Sequence, residues 1–371
     1  MKYILKFTVA FALLILPGVT ASRADERPAL LRSIATGEYQ SAVAGADGTA
    51  LTVKKDGVVR RDPAGGTRFV RRLRNNQRVV ASSDARKFGV ATYADNAPST
   101  LHVAKFEFFN SEGTLLWTLN KPAASDFKVS PRGFWVVGVA GADGMLESDL
   151  FLYDSAGEQA GTWRVAYLSD LTLPYAGTRF FAASRGELLA FPYDGSEPQP
   201  LGRFEQFGTS RDGRWVAVFG AGSVSLFDGN ALVFTSKSEQ QEVRAVAVSP
   251  DGRYLALAGA DRLELHDREA KGPAWAVTSG DPDLRFISLD LAGLPLRVLC
   301  GLDLDKGPSA PAGKRHPGGA LFLLDSAGTL VWREELAYDR WNFRVPRVQI
   351  APDHDQFDVE LASERRQYSL P

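Results

Sequence analysis

Cysteine occurs once in the 371 residues, at Cys300. A lone thiol forms no internal disulfide and excludes every zinc or iron–sulfur arrangement that needs several thiolates. Histidine is scarce as well: His102, His266, His316 and His354 lie far apart, with no paired metal-ligand spacing. No excess of one charge exists, since Lys and Arg total 43 against 44 for Asp and Glu. That balance removes any global argument for nucleic acid as the partner. The chain has no Gly-x-Ser-x-Gly elbow, no His-Glu-x-x-His, no phosphate-cradling glycine loop and no dinucleotide-binding fingerprint. Linkers rich in Pro and Ser, charged tails and long helical periods are missing after the N-terminal segment, so residues 25–371 are expected to form a single domain. What is present is 44% hydrophobic and 23% charged with 35 glycines, a composition that supports a packed core and is neither disordered nor collagen-like.

The N-terminus reads as an export leader. Lys2 and Lys6 precede an apolar run from Phe7 to Leu16, Pro17 and Gly18 break it, and small residues follow through Ala21 and Ala24. A basic start, an apolar stretch and a small-residue cleavage site make a signal peptide. Cleavage after Ala21 or after Ala24 satisfies the rule, and residues 1–24 are taken as the leader. The run is shorter than the roughly 20 apolar residues that span a bilayer. No cysteine follows it for lipid attachment, no twin arginine precedes it, and no Asn-x-Ser/Thr acceptor occurs in the chain. These features point to the general secretory route and to a periplasmic or secreted protein. Loss of Lys2, Lys6 and Arg23 leaves a mildly acidic mature chain.

The remainder repeats. Val243 to Leu257 reads VRAVAVSPDGRYLAL, an alternating strand, a turn at Asp251-Gly252 and a second alternating strand. Alternation of period two buries one face of each strand, and the turn glycine supplies a positive φ, so the phrase is a hairpin. It recurs at Asp47-Gly48, Asp84-Ala85, Arg132-Gly133, Ala176-Gly177, Asp212-Gly213, Ala292-Gly293 and, degenerately, Asp353-His354, with spacings of 36 to 61 residues. Four short strands and their turns need about 40 residues. A third strand ends on a short acceptor residue at Asp62, Asn110, Asp154, Asp194, Asp228, Asp267 and Asp325, where the side chain can bond backbone two residues on. The fourth strand often carries tryptophan, as at Trp117, Trp163 and Trp332, a ring suited to packing between neighbouring units.

On these residues the chain resembles the β-propeller superfamilies. Val248 to Ala256 is similar to a WD40-type first hairpin, and Asp267 and its equivalents resemble the aspartate of the WD dipeptide, with His266 and its counterparts in the tryptophan's place. The spacings from Gly113 to Trp117 and from Gly328 to Trp332 resemble the tryptophan-docking repeat of quinoprotein propellers, which are commonly eight-bladed. The resemblance implies an all-β ring of eight four-stranded blades, with seven as the alternative if a degenerate unit is misread. The last unit stops one strand short, and the segment from Leu31 to Gly37 is expected to supply it, closing the ring and removing an exposed edge.

Function then has to sit on loops and on the central channel. The insertion from Gly301 to Gly319 carries Asp303, Asp305, Lys306, Lys314, Arg315 and His316, and shorter insertions occur at Ala94 to Ser99 and Gly141 to Ser148. Calcium at Asp303 and Asp305 is a minor expectation, because the third ligand and distal Glu of a calcium loop are missing; no other cofactor is expected. Connections entering each first strand bring Glu38, Asp126, Asp170, Glu205, Glu242 and Asp283 toward the channel rim, beside Arg78, Arg244, Arg344 and Arg347. From Lys54 to Lys87 eleven basic residues, among them Arg71, Arg72, Arg74 and Arg78, face three acids, a candidate site for an anionic membrane surface or an acidic partner. The resulting expectation is an exported, non-catalytic scaffold that binds a protein or other ligand. Its alternative is a lactonase-like, metal-assisted hydrolase assembled from channel carboxylates on separate blades, which leaves no local motif.

Overall fold

A four-stranded sheet with both faces half apolar cannot bury them alone, and stacking such sheets radially is the arrangement that covers every face. The chain does this. In a computed structural model, described for residues 27–35, 41–45, 47–94, 102–141, 146–293, 295–304, 316–338, 346–351, 355–361 and 364–370, the strands assemble into eight antiparallel sheets of four, and no helix occurs among the described residues. Numbered along the chain, blade one begins at Ser41–Ala44, and blades two to eight begin at Gln77–Ala81, Asp126–Val129, Leu168–Thr172, Gln206–Thr209, Val243–Val248, Leu284–Ala292 and Arg347–Ile350. These eight first strands surround the channel, and the fourth strands form the outer rim.

Closure comes from the N-terminus. Leu30–Ala35 pairs antiparallel with Glu364–Ser369 as the fourth strand of blade eight, in the register Arg32 to Gln367, Ser33 to Arg366 and Ala35 to Glu364. Arg32 stitches this strand to the next blade, donating to Gln367 Oε1 at 2.8 Å and to the carbonyls of Gly45 and Gly48 in the first turn of blade one.

The hairpin phrase works as a hydrogen-bonded unit. Ser249 Oγ donates to Asp251 Oδ1 at 2.6 Å and accepts from the Tyr254 amide at 2.9 Å, while Asp251 accepts from the Arg253 amide. Ser82 with Asp84 and Ser210 with Asp212 repeat the arrangement. The third-strand acceptors also act as the sequence suggests at Asn110, Asp154, Asp194, Asp267 and Asp325, each taking the amide two residues on. Asp62 and Asp228 differ: they ion-pair with Arg60 and Arg214.

Seven apolar clusters occupy the seams among the described residues, each drawing side chains from two consecutive blades. The tryptophans lock those seams. Trp117 of blade two lies on Gly157 in the last turn of blade three, and Trp275 of blade six lies on Gly328 in blade seven, its indole N–H donating to the Ser326 carbonyl at 3.0 Å. Trp163 donates to the Ser196 carbonyl of blade four, and Trp332 packs edge-on against Phe357 and Tyr368 of blade eight. Gly252 takes φ +66° directly over the Trp215 ring, where a Cβ would come within 2.1 Å of it, so neither the conformation nor the space admits a side chain.

The seam at Trp117 is therefore expected to tolerate loss of the ring poorly. Trp117→Ala, at a position only 8% exposed, should lower stability by about 3–5 kcal/mol in urea unfolding; a loss near zero would show that the indole is not holding blades two and three together.

Candidate binding face

Strand direction gives the ring two unlike faces. First-to-second and third-to-fourth strand turns lie on one, the turn face; the linkers between blades and the second-to-third strand loops lie on the other, the linker face. The channel is treated differently at each.

At the turn face it is obstructed. Arg211, in the first turn of blade five, reaches over to blade eight and donates both terminal nitrogens to the carbonyls of Ile350 and Ala351. Tyr175, Asp84, Gly45 and Gln349 gather around it and leave a cavity of about 50 Å³. At the linker face the channel opens into a basin of about 990 Å³ walled by the first strands of blades four to eight. Asp170, Glu205 and Glu242 line this basin with Arg244 and Arg347, and the rings of Phe204 and Phe207 form part of its wall. A side groove of about 570 Å³ between blades four and five shares Phe204 and Glu205 with it and adds Arg185, Arg203, Ser223 and Ser225.

The carboxylates in the basin are partly engaged. Glu242 accepts from Arg244 Nε at 3.2 Å, Glu205 from the Ala221 amide at 3.0 Å, and Asp170 from the Leu171 amide at 2.7 Å. Asp126 begins the first strand of blade three and Asp283 precedes that of blade seven; neither lines the basin. Glu38 and Arg344 lie outside the described residues. Among the described residues no group of three or more His, Cys, Asp or Glu side chains is arranged to hold a metal ion.

The long insertion is narrower than its sequence suggests, because strands extend into it from both sides. Arg297–Leu304 carries Asp303 opposite Gly319, and the next strand starts at His316, opposite Tyr338. Asp305, Lys306, Lys314 and Arg315 lie outside the described residues, in a segment whose two ends, Leu304 and His316, sit at the linker face.

Strand direction also divides the basic run. Arg60, Arg61, Arg68, Arg86 and Lys87 fall toward the turn face, where Arg60 and Arg68 meet Glu112, Arg86 meets Asp47, and Lys87 donates to the Gly133 carbonyl. Arg71 pairs with Glu107 at 3.0 Å and lies over the Phe109 ring. Lys54, Lys55, Arg72, Arg74 and Arg78 come to the linker face.

No protein-family model and no curated protein matches the chain. Solved structures do. BamB from Moraxella catarrhalis superposes with a TM-score of 0.56 at 11% identity, covering 92% of this chain and all of that one, 100%. The C-terminal WD40 domain of Sif2 gives 0.58 at 10% identity, covering 93% and 98%. The chain has the β-propeller fold, in eight four-stranded blades.

Departures from the WD40-like pattern now have a physical reading. His266, where the WD dipeptide has tryptophan, is fully buried and bridges a seam: Nδ1 lies 3.0 Å from Ser236 Oγ of blade five, and Nε2 lies 3.2 Å from Glu264 Oε2. Ser238 donates to the same carboxylate at 2.8 Å, and Arg262 stands beside it. The imidazole thus replaces an indole's packing with a polar clamp. Residues 264 and 266 share one face of their strand, so this pair is readable from alternation; Ser236 is not. Cys300 is fully buried in its strand, and burial pushes its thiol pKa well up, which suits a packing residue and not a nucleophile.

Burial of Glu264 raises its carboxyl pKa, but the hydrogen bonds from His266 and Ser238 and the neighbouring His266 and Arg262 charges outweigh that, so the net direction is downward. A carboxyl depressed in the folded state stabilises the protein above its unfolded value, about 4.3 for Glu, and that stability is lost as pH falls through the folded value. Urea midpoints of the native chain are therefore expected to fall below about pH 4 more steeply than those of Glu264→Gln; parallel pH profiles would remove the clamp from the account.

Proposed function

We propose that this protein is an exported, non-catalytic propeller that binds a partner protein on its linker face. The observation that carries the reading is the asymmetry of the channel: Arg211 obstructs one end, while the other opens into a 990 Å³ basin with mixed charge and aromatic wall. Concave sites with a few converging polar groups are where ligands bind. Leu304 and His316, which flank residues 305–315, end their strands on the same face as the basin. The similarity to BamB and to a WD40 domain supports the scaffold reading through fold alone. The basic start, apolar run and small-residue site at residues 1–24 support export to a periplasm or beyond.

Affinity capture with the mature chain from a periplasmic extract tests it. The chain should retain a discrete partner, and replacing residues 305–315 by a short Gly-Ser turn should reduce retention several-fold. Equal retention would take that segment out of the binding face, and failure to retain any protein would sink the scaffold reading.

A further inference from the structure

Blade one presents an uncompensated cluster of cations on the linker face. Its second and third strands pair Lys54 with Gly57, and Gly57 in turn pairs with Arg72 of the fourth strand. The Leu73 amide then donates to the Asp56 carbonyl at 2.9 Å, fastening the outgoing linker onto the Lys54-Lys55 turn, and the Arg74 amide donates to Gln77 Oε1. Backbone bonds therefore hold Lys54, Lys55, Arg72 and Arg74 within one small area, and all four are exposed. Arg78, also exposed, lies next along the linker with its guanidinium 5.5 Å from the Tyr93 ring. Among the described residues none of the first four has an ion-pair partner, whereas the cations of the same run on the turn face largely do. Asp56 is the single acid in that turn. In a mature chain with a net excess of acids, a like-charge cluster fixed by backbone geometry repels itself and is relieved by an anionic partner.

We infer that the linker face of blade one binds an acidic segment of a partner protein, through Lys54, Lys55, Arg72, Arg74 and Arg78. This deepens the scaffold reading and rests on it. The rest of the face favours protein over membrane. In a ring of eight, blade five stands opposite blade one, and blades four to six bring Asp170, Glu205 and Glu242 to the basin on the same face. A planar anionic bilayer would press negative charge against both halves. A protein segment can lay acidic residues on blade one and change character before it reaches the basin.

The probe is a fluorescein-labelled decaglutamate peptide, titrated with the mature chain and followed by anisotropy at low and at physiological salt. Binding should weaken about tenfold or more when Lys54→Glu, Lys55→Glu, Arg72→Glu and Arg74→Glu are combined, and should weaken with salt as screening shortens to about 8 Å. The turn-face variant Arg61→Glu should leave binding unchanged, and the milder set Lys54→Gln, Lys55→Gln, Arg72→Gln and Arg74→Gln should fall between, which keeps the test informative if four reversals disturb the fold. Equal peptide affinity for the native and substituted chains, or no peptide binding by the native chain, overturns the inference. Co-sedimentation with phosphatidylglycerol vesicles that the reversal set abolishes, in the absence of peptide binding, replaces the protein segment by a membrane. A chain that still retains its captured partner but ignores decaglutamate loses this inference alone; a chain that retains no partner at all loses the scaffold reading beneath it.

Discussion

A blade of four short strands has two half-apolar faces and no means of covering either by itself. That single constraint organises the molecule. Each blade is stable only as the neighbour of two others, so the apolar clusters lie between blades and not within them. The same constraint makes the ring's last seam decisive, because an unpaired edge at Glu364–Ser369 would leave both blade eight and blade one with an exposed side. The strand Leu30–Ala35 removes that edge, and Arg32 carries the closure across into the first turn of blade one. Stability in such a ring is a sum of nearest-neighbour terms, and opening one seam costs more than the residues in it because it frees the chain to splay.

Ring geometry then makes the two ends of the channel unlike without any residue being set aside for it. Strand direction alternates, so every linker emerges on one side and every first turn on the other. Polar side chains of the linkers and first strands line an open basin, while at the turn face Arg211 reaches across to the carbonyls of blade eight. Charge is divided across the linker face: cations lie together on blade one, and carboxylates lie around the basin on the far side. The apolar seams fix the blades, and the loops and exposed side chains are the parts free to vary.

Much of this was legible in the residues. The Ser-x-Asp-Gly-Arg phrase repeats because each copy closes the same hydrogen-bonded turn, and the closing strand announces itself by a missing one at the other end. Tryptophans four residues after a turn glycine point to a neighbour because a ring that large has no room inside one sheet. Other features depend on what lies opposite what. Arg211 looks like any turn arginine until the ring places blade eight across the channel from it. The basic run from Lys54 to Lys87 looks like one patch in sequence, yet strand reversal divides it between the two faces, and on the turn face Arg60, Arg68 and Arg86 meet Glu112 and Asp47. The channel carboxylates were visible as a set, but their separate partners, an arginine for Glu242 and backbone amides for Glu205 and Asp170, come from contacts within each blade and its adjoining turn.

Closure is the claim on which the rest stands, and truncation tests it directly. A chain beginning at Gly37 and one beginning at Asp25 should be compared by urea unfolding and by their mass in solution. The shorter chain should unfold at a clearly lower midpoint or associate through its open edge, and a synthetic peptide of residues 27–36 added in trans should restore much of the difference. Identical midpoints with both chains monomeric would contradict a ring sealed by its first strand.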